Sequence, residues 1–163
     1  MNIELIRASV EDAQEIWELQ VKSFKSLLDK YQDFETSPAS EPVDKVAGRI
    51  SQEETYYYFI CADGVKVGAI RVFVHPTARY KKISPLFVLP EYQNRGIAQK
   101  AMQMCEEIHG AENWRLDTIL QEAGNCYLYE KMGFRIAGVH PNAIRLKDGR
   151  LLNNYLMIRE MKR

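Results

Sequence analysis

The stretch LFVLPEYQNRGIAQKAM, residues 86–102, decides the reading of this chain. It opens as an apolar run suited to a strand, breaks at Pro90, and resumes after Gly96 with Ile97, Ala98, Ala101, Met102, Cys105 and Ile108 at helical spacing. The connecting loop carries Gln93, Asn94, Arg95 and Gly96, which offer little to a core. A helix beginning there leaves its first N–H groups without internal partners and carries a partial positive charge, so it can receive a phosphate. Gly96 permits close backbone approach and Arg95 adds a cation. An ordinary strand-to-helix connection is the competing explanation. A Walker loop is excluded by the missing Gly-Lys-Ser/Thr, and a dinucleotide turn by the missing Gly-x-Gly-x-x-Gly.

Working outward, WRLDTIL (114–120) reads as a strand and EAGNCYLYEKMGF (122–134) as a short helix ended by Gly133. FRIAGVHPNAIRL (134–146) and LLNNYLMIREM (151–161) form a last strand pair about Lys147-Asp148-Gly149. Upstream, KISPLFVL is the strand entering the loop, and TYYYFICADGVKVGAIRVFV (55–74) gives two strands about Asp63-Gly64. NIELIRAS alternates as a strand, and Ser9 with Asp12 resembles a capping box for a helix whose Ala13, Ile16, Trp17, Gln20, Val21, Phe24, Leu27 and Leu28 share a face. Residues 29–42 read as a loop before a second helix after Pro42, with Val43, Val46 and Ile50 on its apolar side. The β-α-β-α passage implies local parallel pairing and the hairpins antiparallel pairing, hence one mixed α/β sheet covered by helices.

With 163 residues, 46% hydrophobic and 27% charged, the chain suits one domain spanning 1–163. Twenty-two basic and 22 acidic residues cancel, which disfavours nucleic acid or an anionic membrane as the main partner. Cys61, Cys105 and Cys126 are an odd, widely spaced set that suits a reducing cytoplasm rather than a disulfide framework. The start lacks a signal-peptide pattern, and no run approaches the ~20 apolar residues of a membrane span. No His/Cys metal spacing is visible.

VLPEYQNRGIA resembles the signature of the GNAT superfamily of N-acetyltransferases, Gln/Arg-x-x-Gly-x-Gly/Ala, here Gln93, Asn94, Arg95, Gly96, Ile97 and Ala98. NCYLYEKMGF (125–134) is similar to that family's Leu-Tyr-Glu-Lys-x-Gly-Phe helix and turn, and the order of elements agrees from end to end. The resemblance implies a GNAT-like fold, a mixed, mostly antiparallel sheet of about seven strands flanked by helices. It also implies acetyl-CoA as donor cosubstrate. Leu86, Phe87 and Val88 would then pair with the pantetheine arm, while Asn94, Arg95, Gly96, Ile97, Ala98 and Gln99 would hold the pyrophosphate. Asn125 is assigned to the cofactor too, although the family's Asn lies further upstream, where this chain has Glu122.

Transfer of an acetyl group to an amine needs a neutral amine, a polarised carbonyl and a proton for the departing thiolate. By resemblance Tyr129 is the general acid, since a phenol of reference pKa ~10 stays protonated at neutral pH; a packed core tyrosine is the alternative, with Tyr127 its neighbour. Asp117 matches a position where some members carry a glutamate base, alternatively a strand-end Asp bonding local groups. The Val88 N–H is the candidate carbonyl polariser. His75 and His140 each precede a proline in expected loop positions with no evident partner, and read as surface histidines.

The expected acceptor is a primary amine of a small molecule or peptide. Asp29, Asp33, Glu35 and Glu41, beside Tyr31 and Phe34, could hold a cationic amine or form a solvated loop. A homodimer stays open, and a non-catalytic acyl-CoA sensor or scaffold is the reading from another class.

Overall fold

The computed structural model describes residues 1–34, 36–118 and 123–160, with backbone alone at 118 and 123–126. Its elements are β1 (Ile3–Arg7), α1 (Ala13–Tyr31), α2 (Val43–Ser51), β2 (Thr55–Ala62), β3 (Val65–Phe73), β4 (Lys81–Val88), α3 (Ile97–His109), β5 (Trp114–Thr118), α4 (Ala123–Lys131), β6 (Arg135–Arg145) and β7 (Leu151–Arg159). The strands form one seven-stranded sheet in the order β1-β2-β3-β4-β5-β7-β6. Among the described residues the β4–β5 pairing alone is parallel; the other pairings are antiparallel.

Period-two alternation assigns side chains to the two faces. Tyr57, Phe59 and Cys61 of β2 join Ile16, Val46, Ala69 and Phe87 under α1 and α2. Tyr58, Ile60 and Ala62 point the other way, into a core with Ala101, Met102 and Cys105 of α3, Trp114, Leu116, Phe134 and Met157. Burial on both faces explains why β2 reads as an unbroken apolar run. Each such large side chain, fully buried, contributes about 1.5–3 kcal/mol. The Ser9 N–H donates to Asp12 Oδ2 at 2.9 Å and caps the turn leading into α1. Gln20, the polar member of the α1 stripe, is fully buried and donates to Pro38 O and Glu41 Oε2.

The site is positioned by the way β4 leaves its neighbour. Its described pairing with β5 is limited to Lys81↔Trp114 and Lys82↔Arg115. Against β3, the step from Ile70 to Val72 faces the step from Leu86 back to Ile83, so β4 carries an extra residue at Ser84–Pro85. Pro85 has no N–H for a ladder, and the Ser84 carbonyl accepts from Arg71 Nε. Beyond this bulge, β4 stays paired to β3 through Leu86, Phe87 and Val88 while its β5 side opens.

Gly68, opposite Val88, permits that close pairing: a Cβ there would lie 2.1 Å from Phe87 O and 3.0 Å from Val88 Cα. The obstacle is backbone and cannot rotate away. Gly68→Ala is therefore expected to lower stability by about 1–3 kcal/mol. Urea denaturation checks it; an unchanged midpoint would mean that β4 is not held against β3 in solution.

Candidate active site

Where β4 and β5 part, a cavity of about 630 Å³ opens, lined by Leu86, Phe87 and Val88, by Asn94 and Gly96 through Gln99, and by Tyr127, Leu128, Tyr129 and Lys131. Strand and loop positions expected to meet one cofactor thus share one cavity. Arg95 is outside this lining; its guanidinium lies 5.4 Å from the Tyr92 ring centroid.

Backbone direction fixes what β4 offers. The Leu89 N–H donates to Val67 O at 2.8 Å, toward β3, so by alternation the Val88 N–H and C=O point into the opening. The Val88 carbonyl accepts from Gln93 Nε2 at 3.0 Å, which ties the loop to the strand end. Asn94 and Gly96 have φ of 63° and 77°, the left-handed region that curls successive N–H groups around a concavity. The Lys100 N–H reaches Gly96 O, and among the described residues no side chain caps the α3 N-terminus. The N–H groups of Ile97, Ala98 and Gln99 are the helix's unclaimed donors, in the cavity wall. A Cβ on Gly96 would meet nothing within 4 Å. The glycine therefore serves the backbone conformation and keeps the space in front of these donors open.

Tyr129 is fixed by the turn that follows it. The Phe134 N–H donates to Tyr129 O at 2.9 Å and the Gly133 N–H to Glu130 O at 2.9 Å, with Gly133 at φ 94°. Phe134 is buried and stands edge-on to the Tyr129 ring at 6.2 Å. The Tyr-Glu-Lys-Met-Gly-Phe segment thus acts as a clamp on a half-buried phenol, whereas Tyr127 is 70% exposed. Asn125 lies on α4, but its side chain is outside the described residues.

Asp117 is on β5, two residues beyond the last β4–β5 pair, and is not among the cavity-lining residues. Its Oδ2 is 3.7 Å from Lys82 Nζ, and its Oδ1 is 3.3 Å from His140 Nε2. This corrects the sequence reading of His140 as a loop residue without a partner, because it lies within β6 opposite Asn154. His75 follows β3 as expected, and contacts Glu54 at 3.5 Å and Thr77. Cys105 is no nucleophile, since burial pushes its thiol up to about 12.

The acidic loop is also revised. Glu41 is held by both guanidinium nitrogens of Arg49, at 2.6 and 2.7 Å. Burial alone would raise its carboxyl, but Arg49's hydrogen bonds and charge outweigh this and hold it low. Asp33 is buried, which raises its carboxyl, and its carbonyl accepts from the Thr36 and Ser37 N–H groups. Glu41 is thus committed to Arg49, and Asp33 is buried at the loop's turn. Glu35 lies outside the described residues. Asp29 borders a shallower hollow with Tyr31, Leu146, Lys147, Asp148 and Arg150. Sequence reasoning missed Ser23, Phe24, Ser26 and Leu27 as cavity residues. Phe24 and Leu27 were assigned to the apolar face of α1, and the serines carried no signal.

These features agree with the comparisons. The acetyltransferase (GNAT) family model matches residues 13–134, and the chain belongs to that family. The ribosomal-protein-S18-alanine N-acetyltransferase from Escherichia coli superposes with a TM-score of 0.77 at 16% identity, covering 99% of this chain and 96% of that one. The spermidine N-acetyltransferase from Vibrio cholerae, solved with CoA and spermine, gives 0.75 at 16% identity, covering 98% and 95%. A ribosomal L7/L12 α-N-protein acetyltransferase solved with CoA gives 0.73 at 14%, covering 99% and 95%. The sequence has no match among curated proteins. At these identities the structural likeness establishes the fold, a seven-stranded mixed sheet flanked by helices.

Proposed function

We propose that residues 1–163 form one acetyl-CoA-dependent N-acetyltransferase domain, which moves the acetyl group directly to a primary amine in a ternary complex. The observation that carries this reading is the joining, in one cavity, of three things: the open side of β4, the uncapped start of α3 and the clamped Tyr129. The pantetheine amide groups pair with Leu86–Val88 as an added strand would. The pyrophosphate takes the N–H groups of residues 97–99, and the Val88 N–H polarises the thioester carbonyl. Tyr129 protonates the departing sulfur, and the Asp117 side of the opening takes the proton that an ammonium must lose before it attacks. The neighbours' acceptors, a ribosomal protein and spermidine, span peptide and small-molecule amines, and both classes belong in the test. Buried free thiols at Cys61 and Cys105 suit the reducing cytoplasm.

Free-thiol release from acetyl-CoA across a panel of amines and peptides tests the reaction. Tight acetyl-CoA binding without release for any acceptor would favour the non-catalytic sensor. Gly96→Asp tests the loop separately. A carboxylate in front of the α3 N–H groups is expected to weaken CoA binding at least 10-fold, about 1.4 kcal/mol, by charge repulsion and bulk. Calorimetric titration reads this, and equal affinities for both proteins would remove the phosphates from this loop.

A further inference from the structure

We infer that His140 is the group that takes the amine's proton and that Asp117 is its positioning residue; this rests on the transferase reading above. Asp117 Oδ1 is shielded from solvent and has no well-aligned hydrogen bond, yet His140 Nε2 stands 3.3 Å away. A buried carboxylate oxygen with an unmet acceptor demand favours a positive charge beside it. That charge appears when the imidazole gains a proton. The side chains differ in reach: His140 is 50% exposed and Asp117 22%. With Nε2 toward Asp117, Nδ1 is the nitrogen left to accept a proton.

The surrounding charges fit this division. Lys82 on β4 stands 3.7 Å from Asp117 Oδ2, the oxygen that does not face His140, and Arg115 lies two residues before Asp117 on β5. On β7 the residue opposite His140 is the uncharged Asn154, and β6 continues into the uncharged Pro141, Asn142 and Ala143. Imidazole is the side chain whose ordinary titration lies near neutrality. The protons balance as follows. The ammonium gives one proton to His140 Nδ1, which passes it to water. The neutral nitrogen attacks the thioester carbon and the C–S bond breaks. Sulfur takes the phenol proton of Tyr129, and the second proton lost by the nitrogen restores the phenol.

The test compares pH profiles of kcat/KM for wild type, His140→Gln, Asp117→Asn and the double variant. Acceptors are propylamine, glycylglycine and the panel amine turned over fastest. His140→Gln is expected to lose about 100-fold at pH 6.5 and to approach wild type as the free amine becomes abundant. Asp117→Asn should show a smaller loss of the same shape, and the double variant should be no worse than His140→Gln. A wild-type acidic limb in His140→Gln overturns the inference while leaving the transferase reading intact. A second arm needs no acceptor: at pH 6, carbethoxylation of His140 by diethyl pyrocarbonate, followed by peptide mapping, is expected to be several-fold faster in Asp117→Asn, because the reagent attacks the neutral imidazole and the carboxylate favours the protonated one. Equal rates would mean that the two side chains are not coupled. Wild type inactive toward every amine would instead sink the transferase reading, with the modification rates still deciding the pairing.

Discussion

Tyr129→Phe is expected to lower kcat about 100-fold, equivalent to about 2.7 kcal/mol of transition-state stabilisation, with donor affinity unchanged. The phenylalanine keeps the ring that meets Phe134 edge-on, and the backbone bonds that close the end of α4 do not involve the side chain. What disappears is the hydroxyl that the proposed mechanism uses to protonate the leaving thiolate. In the proposed reading donor binding rests on backbone groups of β4 and α3, so its dissociation constant should stay put. An assay limited by acetyl transfer, with donor affinity measured separately, reads both quantities. Full kcat in the variant would reduce Tyr129 to a packing residue; equal losses for Tyr127→Phe and Tyr129→Phe would point to a disturbed α4.

The largest stability effect is expected at Glu106. Its carboxylate meets the Arg159 guanidinium deep between α3 and β7, with only 5% and 3% of the two side chains exposed. Arg159 also donates to Met132 O and Ala111 O, and its guanidinium lies 5.1 Å from the Phe134 ring centroid. Glu106→Ala strands a buried cation and is expected to cost about 3–5 kcal/mol in urea denaturation. Removing both charges should be milder: Glu106→Ala with Arg159→Met is expected to recover much of the loss. A double variant as unstable as the single would show that cavity formation, not the orphaned charge, sets the cost.

Much of the fold was legible because local chemistry and tertiary packing agree. Asp63-Gly64 makes the β2–β3 turn, Pro42 precedes α2, and Gly96 and Gly110 bound α3 as their backbone preferences require. The strand-to-helix turn from Gln93 to Ala98 was legible, and its proposed role toward phosphate could be argued from sequence because that capacity resides in the main chain and needs only the correct conformation. The Asp117–His140 approach was not legible. It depends on two strands joining through β7, and on register shifts between Ile136 and Gly138 and between His140 and Ile144. A one-residue change of register reverses the face on which a side chain stands, and no sequence period records it. Glu41 and Asp33 misled for a related reason. Acids in a loop look solvated until the fold shows which are paired with an arginine, as Glu41 is, and which are buried, as Asp33 is.

The short β4–β5 pairing has a mechanical consequence. The sheet consists of two plates, β1–β4 and β5–β7–β6, joined along the sheet itself at one corner, Lys81–Lys82 against Trp114–Arg115. Helix α3 rivets the plates together: its apolar residues share a core with side chains from both, and Glu106 fastens it to Arg159 of the second plate. Helix α3, whose first turn lines the cavity, therefore bridges the seam, so a change in the seating of that turn is expected to be felt by both plates.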